Sequence, residues 1–596
     1  MLSVVTLRAG INEAIMAAGK KVKIVIIGGV AGGATAATKA RRENENAEIV
    51  LLERGPYVSW SNCAIPMFVG EEIKNRDSLF VTTAASLKAR YNIDARTFHN
   101  VVKIDREKKE VHITKADGQN SVETYDKLII STGAESMVPP LTGAEAENVF
   151  TAKTVPDADQ IKKWIGETKP QKAVVLGGGF IGLEMAEAFV HLKMDVTVVD
   201  TGPLVMNLLD ADMGIWVQNH LISKGVKVHN GSPAKSITVA KNKDGKTIGT
   251  EVVLANGTIL PAEIIIMSVG VRPEVGLAKA ADLTLGPTGG ILVDEYMRTN
   301  DPSIYAVGDI AEYPFFVNGE RSRVALAGPA NRAGRVAGSN AATQDEEVFA
   351  GTARSWIIEV LGLAAAATGL NEKGCQERNI PYHVSIVHPL NHISAYPGGT
   401  MLHIKLLTEK GTDRILGAQI VGDRNAGVDK RCDVIATAIY AKLKGSDLAK
   451  LDLCYSPQFS SAKDPVLMAG FQAANLHQGK LKNLTLAQLM KHMAGNGTPS
   501  PPPLQILDVR DDNERERDGI IGVPVGVRYV HIPLNSLRGR ITEVDKNIRV
   551  VAHCQSGLRS YLACRILSHH GYEDVWNLAG GFLMVPKSDR VPLGRL

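Results

Sequence analysis

The stretch VKIVIIGGVAGGATAATKARR, residues 22–42, runs from a short apolar segment (Val22–Ile27) through a glycine-rich turn (28–33) into an alanine-rich segment with helical spacing. Strand, glycine loop and helix in that order form a dinucleotide-binding unit. The glycines let the backbone approach a pyrophosphate, and the helix N-terminus faces it. Gly28 and Gly33 hold the outer glycine positions, with Val30 and Ala31 between them. Glu53 ends the next apolar run, EIVLLE (48–53), 20 residues after Gly33, where a ribose needs an acceptor.

Working outward, the same grammar recurs about 150 residues on. Ala173–Leu176 leads into GGGFIG (177–182) and then LEMAEAF. Gly177, Gly179 and Gly182 complete a GxGxxG loop, and the following run VTVVD ends at Asp200. A carboxylate there pairs with the 2′-hydroxyl of NADH and repels the 2′-phosphate of NADPH; Thr201 and Gly202 bring no arginine to offset it. Ile181 and Gly270 are the remaining expected NADH contacts. Two such units predict an α/β protein with two Rossmann-like domains, each a doubly wound parallel sheet.

At 596 residues the chain exceeds one core, and length alone predicts about three to five domains. Apolar content of 44% and charged content of 22% are those of a globular protein, and a net charge of +4 spread along the chain leaves no nucleic-acid footprint. No apolar run approaches the ~20 residues of a membrane span. The first twenty residues make a poor signal peptide, and Met16 offers an alternative start. The expectation is a cytoplasmic protein. Its six cysteines (Cys63, Cys375, Cys432, Cys454, Cys554, Cys564) form no CxxC pair and no zinc-ligand spacing, so no metal is expected. Most scattered cysteines are small buried apolar residues; Cys63 and Cys554 sit in contexts that point elsewhere.

LIISTGA (128–134) and TNDPSIYAVGDIA (299–311) resemble the two later motifs of the flavoprotein disulfide reductase superfamily. That resemblance implies bound FAD, with Asp309 at the ribityl chain and Arg54, Ser131, Thr132 and Gly133 among its contacts. Cys63, in YVSWSNCAIP, stands where glutathione-reductase-like enzymes carry two cysteines, and here it is alone. A lone cysteine beside a flavin must cycle through a mixed disulfide, a persulfide or a sulfenic acid. SNCAIP, with the glycine loop, resembles the coenzyme A-disulfide reductase branch of the single-cysteine flavoproteins. The sister branch of NADH peroxidases and oxidases has Ser-His inside that loop, where this chain has Val30-Ala31. HISAYP (392–397) and CYSPQF (454–459) match segments whose tyrosines reach across a dimer interface to the sulfur centre. Tyr455 matches, and of two adjacent tyrosines in the first segment only Tyr396 remains, after Ala395. The same resemblance places Thr35, Lys39, Arg42, Ser59 and Asn62 along a coenzyme A channel.

From 504 a new α/β pattern begins. VVAHCQSGLRS (550–560) is an apolar strand, a loop and a helix start, with Cys554 and Arg559 in a CxxxxR pattern. A thiolate at the mouth of such a loop is stabilised by backbone N–H groups and the helix N-terminus, which suits a bound persulfide. CxxxxR loops also occur in phosphatases. ILDVR (506–510) and HIPLNSL (531–537) instead resemble the rhodanese family, although its usual Gly-His-Ile-Pro-Gly stretch is degenerate here (GIIGVPVG). The Gly-, Ser- and Pro-rich AGNGTPSPPP (494–503) reads as a connector slightly inside this module.

The combination resembles the coenzyme A-disulfide reductase–rhodanese fusions, the NADH-dependent persulfide reductases. It implies FAD-binding residues 21–150 and 273–344, an NADH-binding domain (151–272), an α+β dimerisation domain (345–475) and a rhodanese domain (484–596). It further implies a homodimer that reduces persulfides, polysulfides and coenzyme A disulfide, with coenzyme A as substrate or bound thiol. Three alternatives stay open: an NADH oxidase cycling Cys63 through sulfenic acid, a coenzyme A-disulfide reductase with an incidental rhodanese, and a sulfur-trafficking partner protein using the Cys554 persulfide.

Overall fold

The computed structural model describes residues 21–241, 247–343, 347–494 and 503–593. The first twenty residues, with the alternative start at Met16, and most of the 494–503 connector lie outside them. Among the described residues no helix is long and apolar enough to cross a membrane. The chain forms two compact units. One comprises residues up to Gly177 with Ala188–Asp195 and Ala234–Thr352; the other comprises Gly178–Glu187, Val196–Pro233 and Ala353 onward. The expected 151–272 domain thus contributes to both.

The first unit is built on a five-stranded parallel sheet, in the order Ile304–Ala306, Lys127–Ile130, Lys23–Ile27, Glu48–Leu52, Asp94–Arg96. Both faces are covered, so the central strands read as unbroken apolar runs, and Ile24–Ile26 are fully buried. The alanine-rich helix Ala31–Glu43 exists to lie close to the helix Ala327–Ala342. A Cβ on Gly334 would stand 2.5 Å from the Gly32 carbonyl oxygen, and one on Gly338 2.3 Å from that of Ala36. Larger residues would force the helices apart and move the glycine loop with them. Three further strands, Lys172–Leu176, Ile264–Met267 and Val149–Phe150, run parallel in this unit.

In the second unit Asp195–Asp200 pairs in parallel with Lys227–Asn230. A five-stranded antiparallel sheet follows, ordered Trp356–Val360, Leu363–Gly369, Ile415–Asp423, His403–Glu409, Tyr382–Val387, with helices Val428–Tyr440 and Pro465–His477 packed on it. Asp210, Asp212 and Glu372 cluster with metal-ligand spacing, yet the fully buried Lys405 ammonium fills the cluster, 3.0 Å from Asp210 and 2.7 Å from Asp212, and pairs with Glu372. Last comes a five-stranded parallel sheet: Asn483–Leu484, Val575–Leu578, Arg549–His553, Leu504–Asp508, Arg528–His531. Its first strand follows the helix Pro465–His477 after five residues, and Asn483 Nδ2 donates to the Val384 carbonyl at 2.9 Å. The last module is therefore fastened to the antiparallel sheet. The Gly/Pro-rich stretch falls between the helix Leu486–Met493 and the strand Leu504–Asp508, inside the module.

Candidate functional site

The first glycine loop is a cradle that side chains would fill. Gly28 has φ +97°, and a Cβ on it would lie 2.2 Å from the Ser131 carbonyl oxygen; one on Gly33 would lie 1.9 Å from that of Gly28. Ser131 thus walls the loop from the neighbouring strand end. Val30 is the cap residue of the helix that Ala31 begins. Glu53 tightens the loop by accepting the Gly29 amide at 2.8 Å and the Gly55 amide at 2.7 Å. Each carboxylate oxygen keeps a lone pair for a ribose hydroxyl. Thr132 Oγ1 donates to the Glu274 carbonyl, and Arg54 pairs with the Glu274 carboxylate; Gly133 takes φ +74°. Burial raises the Asp309 carboxyl above its usual range, with Lys153 and Arg323 pulling the other way. Burial lowers the Lys153 ammonium, opposed by Glu274 and Asp309. Lys153 is a member of this constellation that no motif announced.

Cys63 is exposed, in a short turn (Asn62–Ala64) ahead of the helix Ile65–Val69. Asn62 Oδ1 accepts the Cys63 amide at 3.0 Å and its thiol at 3.5 Å. Four residues earlier, Ser59 takes φ +50°, a conformation costly for a residue with a side chain, and its amide donates to the Gly29 carbonyl at 2.7 Å. The cysteine turn is thereby tied to the glycine loop. Thr35 Oγ1 donates to Asn331 Oδ1 at 2.6 Å. Lys39 is engaged by Glu43 and, at 3.9 Å, by Glu347, while Arg42 is exposed. A phosphate would meet Arg42 directly and would have to compete for Lys39.

The second glycine loop shows the same economy. Gly177 has φ +107°, and its Cβ would lie 2.4 Å from the Ser268 carbonyl oxygen. Asp200 accepts the Gly178 amide at Oδ2 and the Gly202 amide at Oδ1, both at 2.7 Å. A Cβ on Gly179 would meet nothing within 4 Å, so the face a pyrophosphate would use is open. Gly182 and Ile181 lie in the helix Phe180–His191, and Gly270, at φ +119°, accepts the Met137 amide. That helix also carries Glu184, whose carboxyl is pushed up to about 7 by burial and by the like charge of Glu187. Two carboxylates three apart on one face of the largely apolar helix IGLEMAEAF are the sequence signal for this site.

Tyr396, Tyr455 and Phe459 are 41%, 51% and 71% exposed. Their two loops share an anchor that sequence reading missed. Arg431, 1% exposed, donates through Nη2 to the Asn391 carbonyl at 2.9 Å and to Asp464 at 3.0 Å. Asp464 in turn accepts Ser460 Oγ and caps the helix that starts at Pro465.

In the last module Cys554 lies on the floor of its loop, 1% exposed, and not at the mouth that the sequence suggested. The loop folds over it: the Gly557 amide donates to Sγ at 3.1 Å and Ser560 Oγ at 3.5 Å. Arg559 points to carboxylates, at 2.6–2.7 Å from Glu514 and 3.1 Å from Asp511. Beneath, Asp508 and Arg510 form a fully buried pair joined by Tyr529. Asp508 stays well below its usual range: burial opposes this, and His553, Arg510 and Tyr529 outweigh it. Burial pushes the Cys564 thiol far up, and neighbouring Cys554 adds to the effect, so Cys564 is a packing residue.

Two nucleotide loops, an exposed cysteine tied to the first, and a sulfur that accepts the Gly557 amide and the Ser560 hydroxyl define a thiol-based oxidoreductase with an added sulfur-handling module. The chain belongs to the pyridine nucleotide-disulphide oxidoreductase family: that family's profile matches residues 22–334, its dimerisation domain matches 359–465, and a rhodanese-like domain matches 485–584. A NADH oxidase of Methanocaldococcus jannaschii is 34% identical over 76% of this chain and 98% of its own. A coenzyme A disulfide reductase of Staphylococcus aureus is 29% identical over 76% of this chain and 99% of its own. Among solved structures, reduced Bacillus anthracis CoADR-RHD superposes with a TM-score of 0.89 at 38% identity, covering 96% of this chain and 99% of its own. A NAD-dependent persulfide reductase from A. fulgidus gives 0.84 at 37%, covering 95% and 100%. The expected fold class, two nucleotide domains followed by dimerisation and rhodanese domains, is the one found.

Proposed function

We propose that the protein is an NADH-oxidising, FAD-dependent reductase of coenzyme A disulfide, coenzyme A persulfide and polysulfides, working through Cys63, with Cys554 carrying sulfane sulfur. The observation that carries this is the pairing of Cys63 with Asn62 on a turn whose Ser59 amide is bound to Gly29 of the glycine loop. Gly28, Gly33, Glu53, Ser131 and Asp309 would hold FAD, and Gly177, Gly179, Gly182 and Asp200 would hold NADH. Bound, the two nucleotides supply the pair of electrons that returns oxidised Cys63 to its thiolate. The residues of the chain do the rest. The Cys63 thiolate attacks a disulfide or persulfide sulfur, forms a mixed disulfide or takes up the outer sulfur, and releases the thiolate of the leaving partner. Asn62 orients the sulfur. Arg42, Lys39 and Thr35 would receive the phosphates of coenzyme A, with Ser59 shaping the channel. Cys554 would hold a persulfide against the Gly557 amide.

We also propose a homodimer in which the loop 454–465 of one subunit, with Tyr455 and Tyr396, completes the sulfur site of the other. The exposure of Tyr396, Tyr455 and Phe459 and the dimerisation-domain match support it. A second reading, an NADH oxidase, is favoured by the similarity to the M. jannaschii protein. Initial rates of NADH oxidation with coenzyme A disulfide, coenzyme A persulfide, polysulfide and oxygen decide between them. Sulfur substrates should outpace oxygen by at least about tenfold in kcat/KM, or about 1.4 kcal/mol; oxygen matching them overturns the reading.

A further inference from the structure

The turn Gly580–Gly581 stands between the Cys554 loop and the antiparallel sheet, and both glycines are there for clearance. Gly581 has φ +66°, and a Cβ on it would lie 2.5 Å from the Cys554 carbonyl oxygen and 2.7 Å from the Gly557 nitrogen, whose amide donates to the Cys554 sulfur. Gly580 has φ +73°, and its Cβ would lie 2.7 Å from Cγ2 of Ile386 and 2.9 Å from Nε2 of His388. Adjacent residues thus touch the sulfur cradle on one side and the sheet on the other. The next two continue the support: Phe582 and Leu583 donate their amides to the carbonyls of Cys554 and Gln555, at 2.7 and 3.0 Å.

The sheet side of this contact is itself fixed. His388 is nine-tenths buried, with Nδ1 2.8 Å from Nδ1 of His403, so one ring donates and the other accepts. The His403 ring stacks on Trp216 at 3.7 Å. Burial drops the two imidazoles to about 4 and about 3, so both are neutral near pH 7 and one Nδ1–H serves the pair. The helix that begins at the cradle is pinned as well. Asn475 Nδ2 donates to Tyr561 Oη at 3.3 Å, and Arg565 donates to the Lys480 carbonyl at 2.8 Å.

Amides that stabilise a sulfur anion act by being in place beforehand, and a loop containing glycine holds its amides only if it is backed. We propose that His388 and Ile386 are positioning residues for the Cys554 cradle, acting through Gly580–Gly581, so that the reductase part of the chain completes the sulfur-transfer site. The proposal rests on the reading of Cys554 as a sulfur carrier.

The test uses the full-length holoenzyme and its His388→Ala, Ile386→Ala and Ile386→Val variants. Sulfur transfer from glutathione persulfide to cyanide is measured beside NADH oxidation with coenzyme A disulfide, and Cys554 alkylation by iodoacetamide is followed by peptide mass spectrometry. Both alanine variants should lose about tenfold in sulfur-transfer kcat, with donor KM changed by less than about twofold. Their Cys554 alkylation should slow, Ile386→Val should restore most of the transfer rate, and coenzyme A disulfide reduction should stay within about twofold of the parent. Alanine variants that transfer sulfur at the parental kcat overturn the proposal, as does an equal loss of both activities. A Cys554→Ser control that transfers sulfur as fast as the parent removes the carrier reading itself, and the proposal with it.

Discussion

Asp200 accepts the amide of Gly178 at 2.7 Å, so the carboxylate at the end of its strand and the second glycine loop form one rigid anion-facing unit. A 2′-hydroxyl can donate to that carboxylate, whereas a 2′-phosphate meets a fixed negative charge. NADH should be preferred over NADPH by at least about tenfold in kcat/KM, or about 1.4 kcal/mol. Asp200→Ala should narrow the ratio. Equal kcat/KM values for the two nucleotides in the parent enzyme contradict this account.

Arg431 holds both tyrosine-bearing loops, and it is buried with Asp464. Arg431→Met leaves a carboxylate inside the protein without its partner, a loss of about 3–5 kcal/mol. Thermal unfolding should show a large fall in Tm, and sedimentation should show dissociation. An unchanged Tm would mean the anchor is dispensable.

Subunit complementation tests the shared sulfur site. In a mixed dimer of Cys63→Ala and Tyr455→Phe chains, one site carries both lesions and the other carries neither. Mixed dimers should exceed both parental homodimers in coenzyme A disulfide reduction. Activity no higher than the parents rules out a contribution of Tyr455 across the interface.

Glu184 makes a pH prediction. Its carboxyl titrates near 7 in the folded chain, against a usual value of 4.5. The folded state therefore holds its proton more tightly than the unfolded one, and stability is lost as pH rises from about 4.5 to 7. Glu184→Gln removes that penalty, on the order of 1–3 kcal/mol above pH 7. Tm compared at pH 5 and pH 8 should fall less in the variant; parallel curves would show that Glu184 is ionised in both states.

The two glycine loops, with Glu53 and Asp200 bound to their amides, were legible because each is a local pattern: an apolar run, a turn that only glycine can make, and a helix. The rest arises from contacts between distant segments. Arg431, Lys153 and Glu184 gain their roles from burial and from partners that no spacing announces. Cys554 lies on the floor of its loop and not at the mouth because the loop folds back over the sulfur, through the Gly557 amide and the Ser560 hydroxyl, while the segment 580–583 backs it from behind. Lys39 looked available for phosphate on its helix face, and Glu347, some 300 residues on, takes part of its charge. The link from His388 to the sulfur cradle rests on Gly580 and Gly581, whose clearance arises only once the two segments are brought together by the fold.

The central claim, that Cys63 reduces and Cys554 carries sulfur, is tested most directly by steady-state NADH oxidation in Cys63→Ser and Cys554→Ser with coenzyme A disulfide, coenzyme A persulfide and polysulfide. Cys63→Ser should lose all three activities while keeping its flavin absorbance. Cys554→Ser should reduce coenzyme A disulfide at the parental rate and turn over more slowly only with donors that first load the rhodanese domain. Loss of all three activities to the same extent in Cys554→Ser would contradict the division of labour between the two sulfurs.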